Sequence, residues 1–279
     1  MNNFDLVIVG AGSAGCIVAN QIISNTNLRV LLIEAGPSDN SPVIKVPLGY
    51  GMTFYHKKMN WNFYSEIQKN LNNREIYYPR GKVVGGSGSI NAMIYARGLS
   101  SDFKNWHLSK DWSWENIKAT YDQIEFSIND KINILPSNKI PVNDVSKKHH
   151  PILRNFFDAS QDFNFTLNKQ LKSSLENQVG NYNVNIFDGF RTSSSTVFLK
   201  PIKTHSNLKI LTKTEVLKLE YENNKISSLK IKYQNKIIIV KPKIGTILST
   251  GAIMTPYLLL KSGIGSSEEL KDFNIPVNL

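Results

Sequence analysis

Gly10, Gly12 and Gly15 stand at G-x-G-x-x-G spacing, and Glu34 follows Gly15 by nineteen positions. That combination is suited to holding a diphosphate and the sugar attached to it. Gly10 allows a sharp turn off a strand, Gly12 has no Cβ to keep a pyrophosphate from the backbone, and Gly15 lets a helix lie close to a sheet. Ser13 and Ala14 open that helix, whose free N–H groups and positive dipole suit phosphate. Glu34, with Ala35 beside it, is placed to accept hydrogen bonds from a ribose diol, and its charge disfavours a 2′-phosphate, which argues against NADP. The spacing predicts dinucleotide binding. It does not separate NAD from FAD, which share an ADP half.

The elements that must position these residues are legible around them. The apolar run from Leu6 to Val9 reads as a strand, the pattern through Asn25 as a helix, and the run from Val30 to Ile33 as a second, parallel strand. A second glycine cluster spans Arg80 to Asn91, with only glycine and serine from Gly85 to Ser89. Its backbone can press against a flat ligand and offer many N–H donors. The apolar Ala92, Met93, Ile94 and Tyr95 follow almost at once, which favours a site over a flexible linker. Between the clusters, Pro37 to Arg80 reads as loop-rich, with aromatics such as Tyr50, Trp61 and Phe63 among polar residues, and is expected to wrap a scaffold or cover a ligand.

Downstream, Ser113 is expected to cap a helix running to about Glu125, and Phe126 to Lys148 reads as surface loop. Pro151 is expected to start a helix with Leu153, Phe156, Phe157 and Ala159 in a core. Asn168 to Asp188 reads as irregular, followed by a short helix near Phe198. Alternating runs Glu215 to Tyr221, Ile226 to Tyr233 and Lys236 to Val240, separated by Asn223-Asn224 and Gln234-Asn235, predict a three-stranded meander. A buried strand from Ile244 to Ser249 follows, then a helix with Thr255 as N-cap, Pro256 at its first position and Gly263 at its end.

Three motifs, GAGSAGC from Gly10, GKVVGGSGSINAMIYARG from Gly81 and STGAIMTPYLLLKSGIG from Ser249, resemble in order and spacing the glucose-methanol-choline (GMC) flavin oxidoreductases. The resemblance is greatest to their choline dehydrogenases. It implies an α/β fold: a Rossmann-like FAD-binding domain of the glutathione-reductase type, with a β-meander insertion and part of a substrate domain. The expected segments are 1–125 and 189–279 for the FAD-binding domain and 126–188 for the connecting part of the substrate domain. It further implies that Gly81, Val83, Gly85, Gly86, Ser87, Gly251 and Ala252 approach the FAD, that Asn91, Ala92, Met93 and Ile94 contact the flavin ring, and that the Val216 backbone reads the adenine edge. Ile90 stands where some members carry a flavin-linking histidine, so FAD is expected to be non-covalent. The implied reaction is oxidation of an alcohol, choline or another primary alcohol, with hydride passing to flavin N5 and then to an acceptor that the sequence does not identify. The alternatives are a lyase on the same fold or a non-catalytic flavin-binding fragment.

The family's catalytic base is a histidine paired with histidine or asparagine from the C-terminal part, expected beyond Leu279, so this chain alone is expected to be inactive. His56, His107, His149, His150 and His205 read instead as structural or solvated, and His149-His150 lacks further ligands for a metal.

Composition narrows the partners. The chain has 279 residues, 41% hydrophobic, enough for a substantial core. The net charge of +11 comes from lysines scattered from end to end, so nucleic-acid binding is not expected. The single cysteine, Cys16, excludes a disulfide framework and is expected to pack as a small buried side chain. No apolar run approaches the roughly 20 residues of a membrane span, and the first strand begins too early for a signal peptide. A cytoplasmic protein is expected, with peripheral contact to the inner membrane left open.

Overall fold

The computed structural model describes residues 3–104, 106, 109–128, 134–168, 177–223 and 225–278. The chain divides into two compact units, one of Met1–Asn91 with Ser193–Leu279 and one of Ala92–Thr192. The second unit thus begins at Ala92, inside the second glycine motif, whereas the sequence reading drew its break at 126.

The first unit is built on a parallel sheet. Strand β1 (Leu6–Val9) lies between β2 (Val30–Ile33) and the strand Gly245–Leu248, and Leu208–Leu211 extends the sheet beyond β2. Leu6 pairs with both Val30 and Gly245, so one register runs across the sheet. Helix α1 (Ser13–Asn25) joins β1 to β2. Because strand side chains alternate between faces, the sheet feeds two cores. Val7, Val9, Leu31 and Ile33 pack with Leu219, Leu229, Ile231 and Val240 of the meander and with Leu258. Ile8, Val30 and Leu32 pack on the other face with Cys16, Ala19 and Ile23 of α1.

The meander has strands Glu215–Glu222, Lys225–Tyr233 and Lys236–Val240. Its turns use left-handed residues, Asn223 at one and Gln234 with Asn235 at the other, while Asn224 lies outside the described residues. Ser193 leads into a π-helical turn, Ser195–Leu199, close to the expected short helix.

Two expectations in this unit need correction. Gly245–Leu248 is half-buried throughout, not buried, and Ile244 is exposed. The helix begins at Gly251, not at Pro256, and runs to Lys261 with Thr250 at the cap position and Pro256 inside. Thr255 Oγ1 shares a hydrogen bond with Thr250 Oγ1 at 2.8 Å instead of capping. Gly251, at φ +89°, supplies the turn that starts the helix directly off the strand, a turn a side-chain-bearing residue resists. Gly263, also left-handed, follows its end as expected.

The second unit contains a sheet in the order Ile94–Tyr95, Asn183–Val184, Ile140–Asp144, Glu125–Ser127. The helix Trp114–Ile124 leads directly into the strand Glu125–Ser127, and Ser113 Oγ accepts the Asn116 N–H at 3.4 Å, as the capping reading predicts. The expected loop from Phe126 to Lys148 therefore contains strand, as does the stretch Asn168 to Asp188 through Gln178–Gly180, Asn183–Val184 and Ile186–Phe187. Pro141 obscured the first of these. It sits in the strand with its carbonyl in use, accepting from Asn185 Nδ2 at 2.8 Å.

The helix Leu153–Asp162 forms two residues after Pro151, but Phe156 is 59% exposed and only Ser160 is buried, so the expected core role of its aromatics fails. Arg97 ties the unit together: its Nε meets Glu125 Oε1 at 2.7 Å and its Nη2 meets Asp122 Oδ1 at 2.7 Å. The Tyr95 hydroxyl also donates to Glu125.

Candidate functional site

The end of β1 opens into a cavity of about 480 Å³ within the first unit. Gly10, Gly12, Ser13, Ala14, Glu34, Ala35, Gly81, Gly86, Ser87, Val216, Gly251 and Ala252 all line it. These predicted residues come from five separate stretches of chain, so the fold, not sequence proximity, assembles them. Gly15, Val83 and Gly85 stand behind that lining and shape it. A Cβ on Gly15 would lie 1.9 Å from the Gly10 carbonyl oxygen, which shows how closely α1 meets the turn. Val83 is fully buried with Ile44 and Ile90. Gly85, left-handed, donates its N–H to the Ala11 carbonyl at 2.7 Å. Asn91 ends the first unit on its surface, and Ala92, Met93 and Ile94 belong to the second unit.

Gly12 differs from its neighbours. A Cβ there would meet nothing nearer than 3.7 Å, so the space over this residue is left open by the protein. Two helix N-termini line the same cavity: Ser13 and Ala14 of α1, and Gly251 to Met254 of Gly251–Lys261. Each presents unpaired N–H groups and the positive end of a helix dipole, an arrangement that selects anions. Arg80 also lines the cavity. The Lys82 ammonium lies 4.2 Å from the centre of the Trp61 ring.

Glu34 is buried, and both its oxygens are engaged. Oε2 accepts the Ala11 N–H and Oε1 the Gly36 N–H, each at 2.9 Å. The carboxylate thereby links the turn after β1 to the turn after β2. Burial pushes its pKa up to about 7, against the pull of the Gly36 and Ala11 N–H groups and the Lys82 charge. Each oxygen keeps a second lone pair for a ligand hydroxyl.

The donor set fits the ADP half of FAD: an open approach over Gly12, converging N–H groups for the diphosphate and a buried carboxylate for the ribose.

Sequence reasoning missed part of this wall. Trp61, Phe63 and Arg80 line the cavity from a hairpin in which Phe63–Tyr64 pairs with Tyr77–Tyr78. Trp61 and Phe63 stack at 5.8 Å, and their i, i+2 spacing in the segment expected to wrap a scaffold or cover a ligand was the available signal. Thr214, Glu215, Ser249, Thr250, Met254 and Tyr257 also contribute. Ser249, Thr250, Met254 and Tyr257 lie inside the third motif, where Thr250-Gly251-Ala252 is expected to pass beside the cofactor, whereas Thr214 and Glu215 carry no signal beyond their nearness to Val216.

None of the described histidines lines the cavity. The Nδ1 atoms of His56, His150 and His205 accept backbone N–H groups of Lys58, Ile152 and Asn207, and His149 Nδ1 pairs with Asn181 Oδ1 at 2.7 Å. His107 lies outside the described residues. Cys16 is buried on α1, donates to the Ala11 carbonyl at 3.3 Å and has its thiol pKa pushed up to about 12 by burial, so it is a packing residue. Among the described residues no group of three or more candidate ligands could hold a metal ion. No helix among them is long and apolar enough to cross a membrane.

Comparison with known proteins accords with this geometry. The chain is 36% identical over 278 residues to an alcohol dehydrogenase (acceptor) of Pseudomonas putida, covering 98% of this chain and 50% of the relative. It is 31% identical over 275 residues to an oxygen-dependent choline dehydrogenase of Rhizobium johnstonii, again covering 98% and 50%. It thus spans about half the length of these relatives. Among solved structures, pyridoxine 4-oxidase from Mesorbium loti superposes with a TM-score of 0.91 at 29% identity, over 99% of this chain and 55% of the other. The family model described as GMC oxidoreductase matches residues 4–279, and with the glycine turns, the meander and the cavity in place, the chain belongs to the GMC oxidoreductase family.

Proposed function

We propose that this chain forms the FAD-binding part of an oxidoreductase that acts on the CH–OH group of an alcohol, choline or another primary alcohol being the first candidates. The observation that carries the reading is the convergence of two helix N-termini and the buried Glu34 on one cavity, in a chain whose relatives are alcohol and choline dehydrogenases. FAD, when bound, supplies the hydride acceptor. Gly12 admits the diphosphate, the N–H groups of Ser13 and Ala14 donate to it, and Glu34 accepts from the ribose hydroxyls. The Val216 backbone reads the adenine edge, and Asn91 with Ala92, Met93 and Ile94 contacts the ring system. Ile90, buried and without a nucleophilic atom, leaves the cofactor non-covalent.

No described histidine lines the cavity to take the hydroxyl proton, and a positioned base contributes about two to four orders of magnitude. The 279-residue chain is therefore expected to take up FAD but not to turn over alcohol. The test has two arms. Recombinant chain titrated with FAD should quench flavin fluorescence stoichiometrically and release intact FAD on acid denaturation; a folded chain that takes up none removes the cofactor reading. Anaerobic mixing of the loaded chain with choline and a panel of primary alcohols should leave the flavin oxidised. Bleaching at roughly 1 per second or faster, the range of working enzymes, would show a base within these residues.

A further inference from the structure

A second cavity, of about 590 Å³, lies within the first unit where the strand Leu208–Leu211 meets the last turn of the meander. The cofactor reading makes no use of it. Like the first cavity, it opens at the carboxyl ends of parallel strands, here β2 and Leu208–Leu211, the place where open α/β sheets bind ligands. Ala35 and Glu215 belong to the walls of both cavities, so the two are neighbours.

Leu208–Leu211 is the outermost strand of its sheet. The Asn207 and Leu211 carbonyls accept the N–H groups of Val30 and Glu34, each at 2.8 Å, and the Lys213 N–H donates to the Gly36 carbonyl at 2.8 Å. Alternate residues of a parallel ladder turn the other way, so Ile210 and Thr212, both in the cavity wall, direct their N–H groups to the open edge. Backbone conformation marks the same place. Most of the described non-glycine residues with positive φ are asparagine, which tolerates that conformation. Lys213 at φ +51° and Gln234 at φ +48° depart from that pattern, and both line this cavity. A lysine held where asparagine or glycine fits more easily points to a use for its ammonium group. Lys232 is exposed in the same wall, paired across the strands with Glu215. Among the described residues neither ammonium lies within salt-bridge distance of a carboxylate. The wall thus sets two cations against the single carboxylate of Glu215.

We propose that this cavity binds a phosphate monoester with a hydroxylated body, a sugar phosphate or a mononucleotide. The charge pattern selects the phosphate. A phosphate monoester carries close to two negative charges near neutral pH and can engage both lysines, where a carboxylate brings one charge. The outward N–H groups of Ile210 and Thr212 add donors of the kind phosphate accepts. Glu215 and the amides of Gln234 and Asn235 suit hydroxyl groups, as acceptors and donors. Ile210 and the half-buried Tyr233 ring offer an apolar surface to the face of a sugar or base. The volume exceeds the 480 Å³ of the cavity that fits half of a dinucleotide, so a body of this size is admitted.

The test is calorimetric titration of the 279-residue chain, with FAD in excess to fill the first cavity, using ribose 5-phosphate, adenosine 5′-monophosphate and adenosine. One equivalent of at least one phosphate should bind with a Kd below about 1 mM, and adenosine should not. The tighter of the two phosphates identifies the body as sugar or nucleotide. Lys213→Gln with Lys232→Gln should weaken binding about tenfold, since each exposed ionic contact is worth a factor of roughly 2 to 5. Lys213→Asn separates recognition from folding. Asparagine suits φ +51°, so this variant should melt at or above the wild-type temperature and still bind the phosphate more weakly. Binding of neither phosphate would overturn the proposal, as would equal binding of adenosine or an affinity unchanged by the double lysine replacement. Displacement of FAD by the phosphates would overturn it too, by placing the ligand in the first cavity.

Discussion

The Glu34 carboxyl gives the fold a pH dependence whose size follows from its surroundings. Its pKa rises from an ordinary 4.5 to about 7, burial being the main cause. Between those values the folded chain keeps a proton that the unfolded chain gives up, so stability falls as pH rises through the window. Each pH unit is worth about 1.4 kcal/mol, and the whole window about 3 kcal/mol. The contribution is fully present below about pH 4.5 and is lost by the time pH has passed through about 7. Glu34→Gln removes the titration while keeping the shape. It also sets an amide NH2 against one of the two N–H groups, of Ala11 or Gly36, that the carboxylate now satisfies, at a cost of about 1 to 3 kcal/mol.

The variant should therefore be less stable than wild type near pH 5, and equal to it or more stable near pH 8. Asp5 does not confuse the comparison, because the Arg29 N–H holds its pKa below 3.8 and its contribution is lost only as pH falls beneath the window. Urea titration of the FAD-free chain at both pH values, wild type against variant, measures the difference, in which groups distant from Glu34 cancel. Parallel pH profiles for the two proteins would refute the reasoning, since Glu34 would then titrate alike in the folded and unfolded states.

Other substitutions probe the cavity and its supports. Gly12→Val should leave a folded chain that no longer quenches FAD fluorescence, whereas Gly15→Ala should destabilise the fold itself, read by thermal melting, because its Cβ lands on the Gly10 carbonyl. Glu34→Ala should weaken FAD binding by about 1 to 3 kcal/mol in equilibrium titration, the cost of a charged acceptor lost from hydroxyl donors. Ser262→Ala should cost about 1 to 3 kcal/mol in urea titration, because its buried hydroxyl accepts the Leu219 N–H at 2.9 Å and that donor would be left unpaired.

What could be read in advance was what local chemistry writes into short stretches. The turn around Gly10 to Gly15, the edges of α1 and the three runs of the meander all depend on neighbours in sequence, and they lie close to their expected limits. The readings that failed depend on distant partners. Pro256 resembled a helix start because proline favours that position, but the strand Gly245–Leu248 delivers the chain to a helix start at Gly251, ahead of the proline by more than a turn. The strand Ile140–Asp144 carries a proline and polar residues, and only its pairing with Glu125–Ser127 and Asn183–Val184 makes it a strand. Trp61 and Phe63 read as general aromatics of a covering segment, and pairing across the Asn60–Gly81 bridge turns them into cavity wall.

The place of β1 in the sheet also constrains how the chain is born. One of its neighbours, β2, leaves the ribosome soon after it, but the other edge waits for Gly245–Leu248, more than two hundred residues later. During synthesis that edge of a four-residue apolar strand stays unpaired, and contacts of such long sequence separation form slowly because a large loop must close first. The meander can pair locally before the sheet closes, since each of its strands follows its partner by a tight turn. The meander itself ends at Val240, only a few residues before Gly245–Leu248, so for most of synthesis the nascent chain carries the open edge of β1 with neither of these partners made, an exposure of the kind that favours chaperone binding or aggregation.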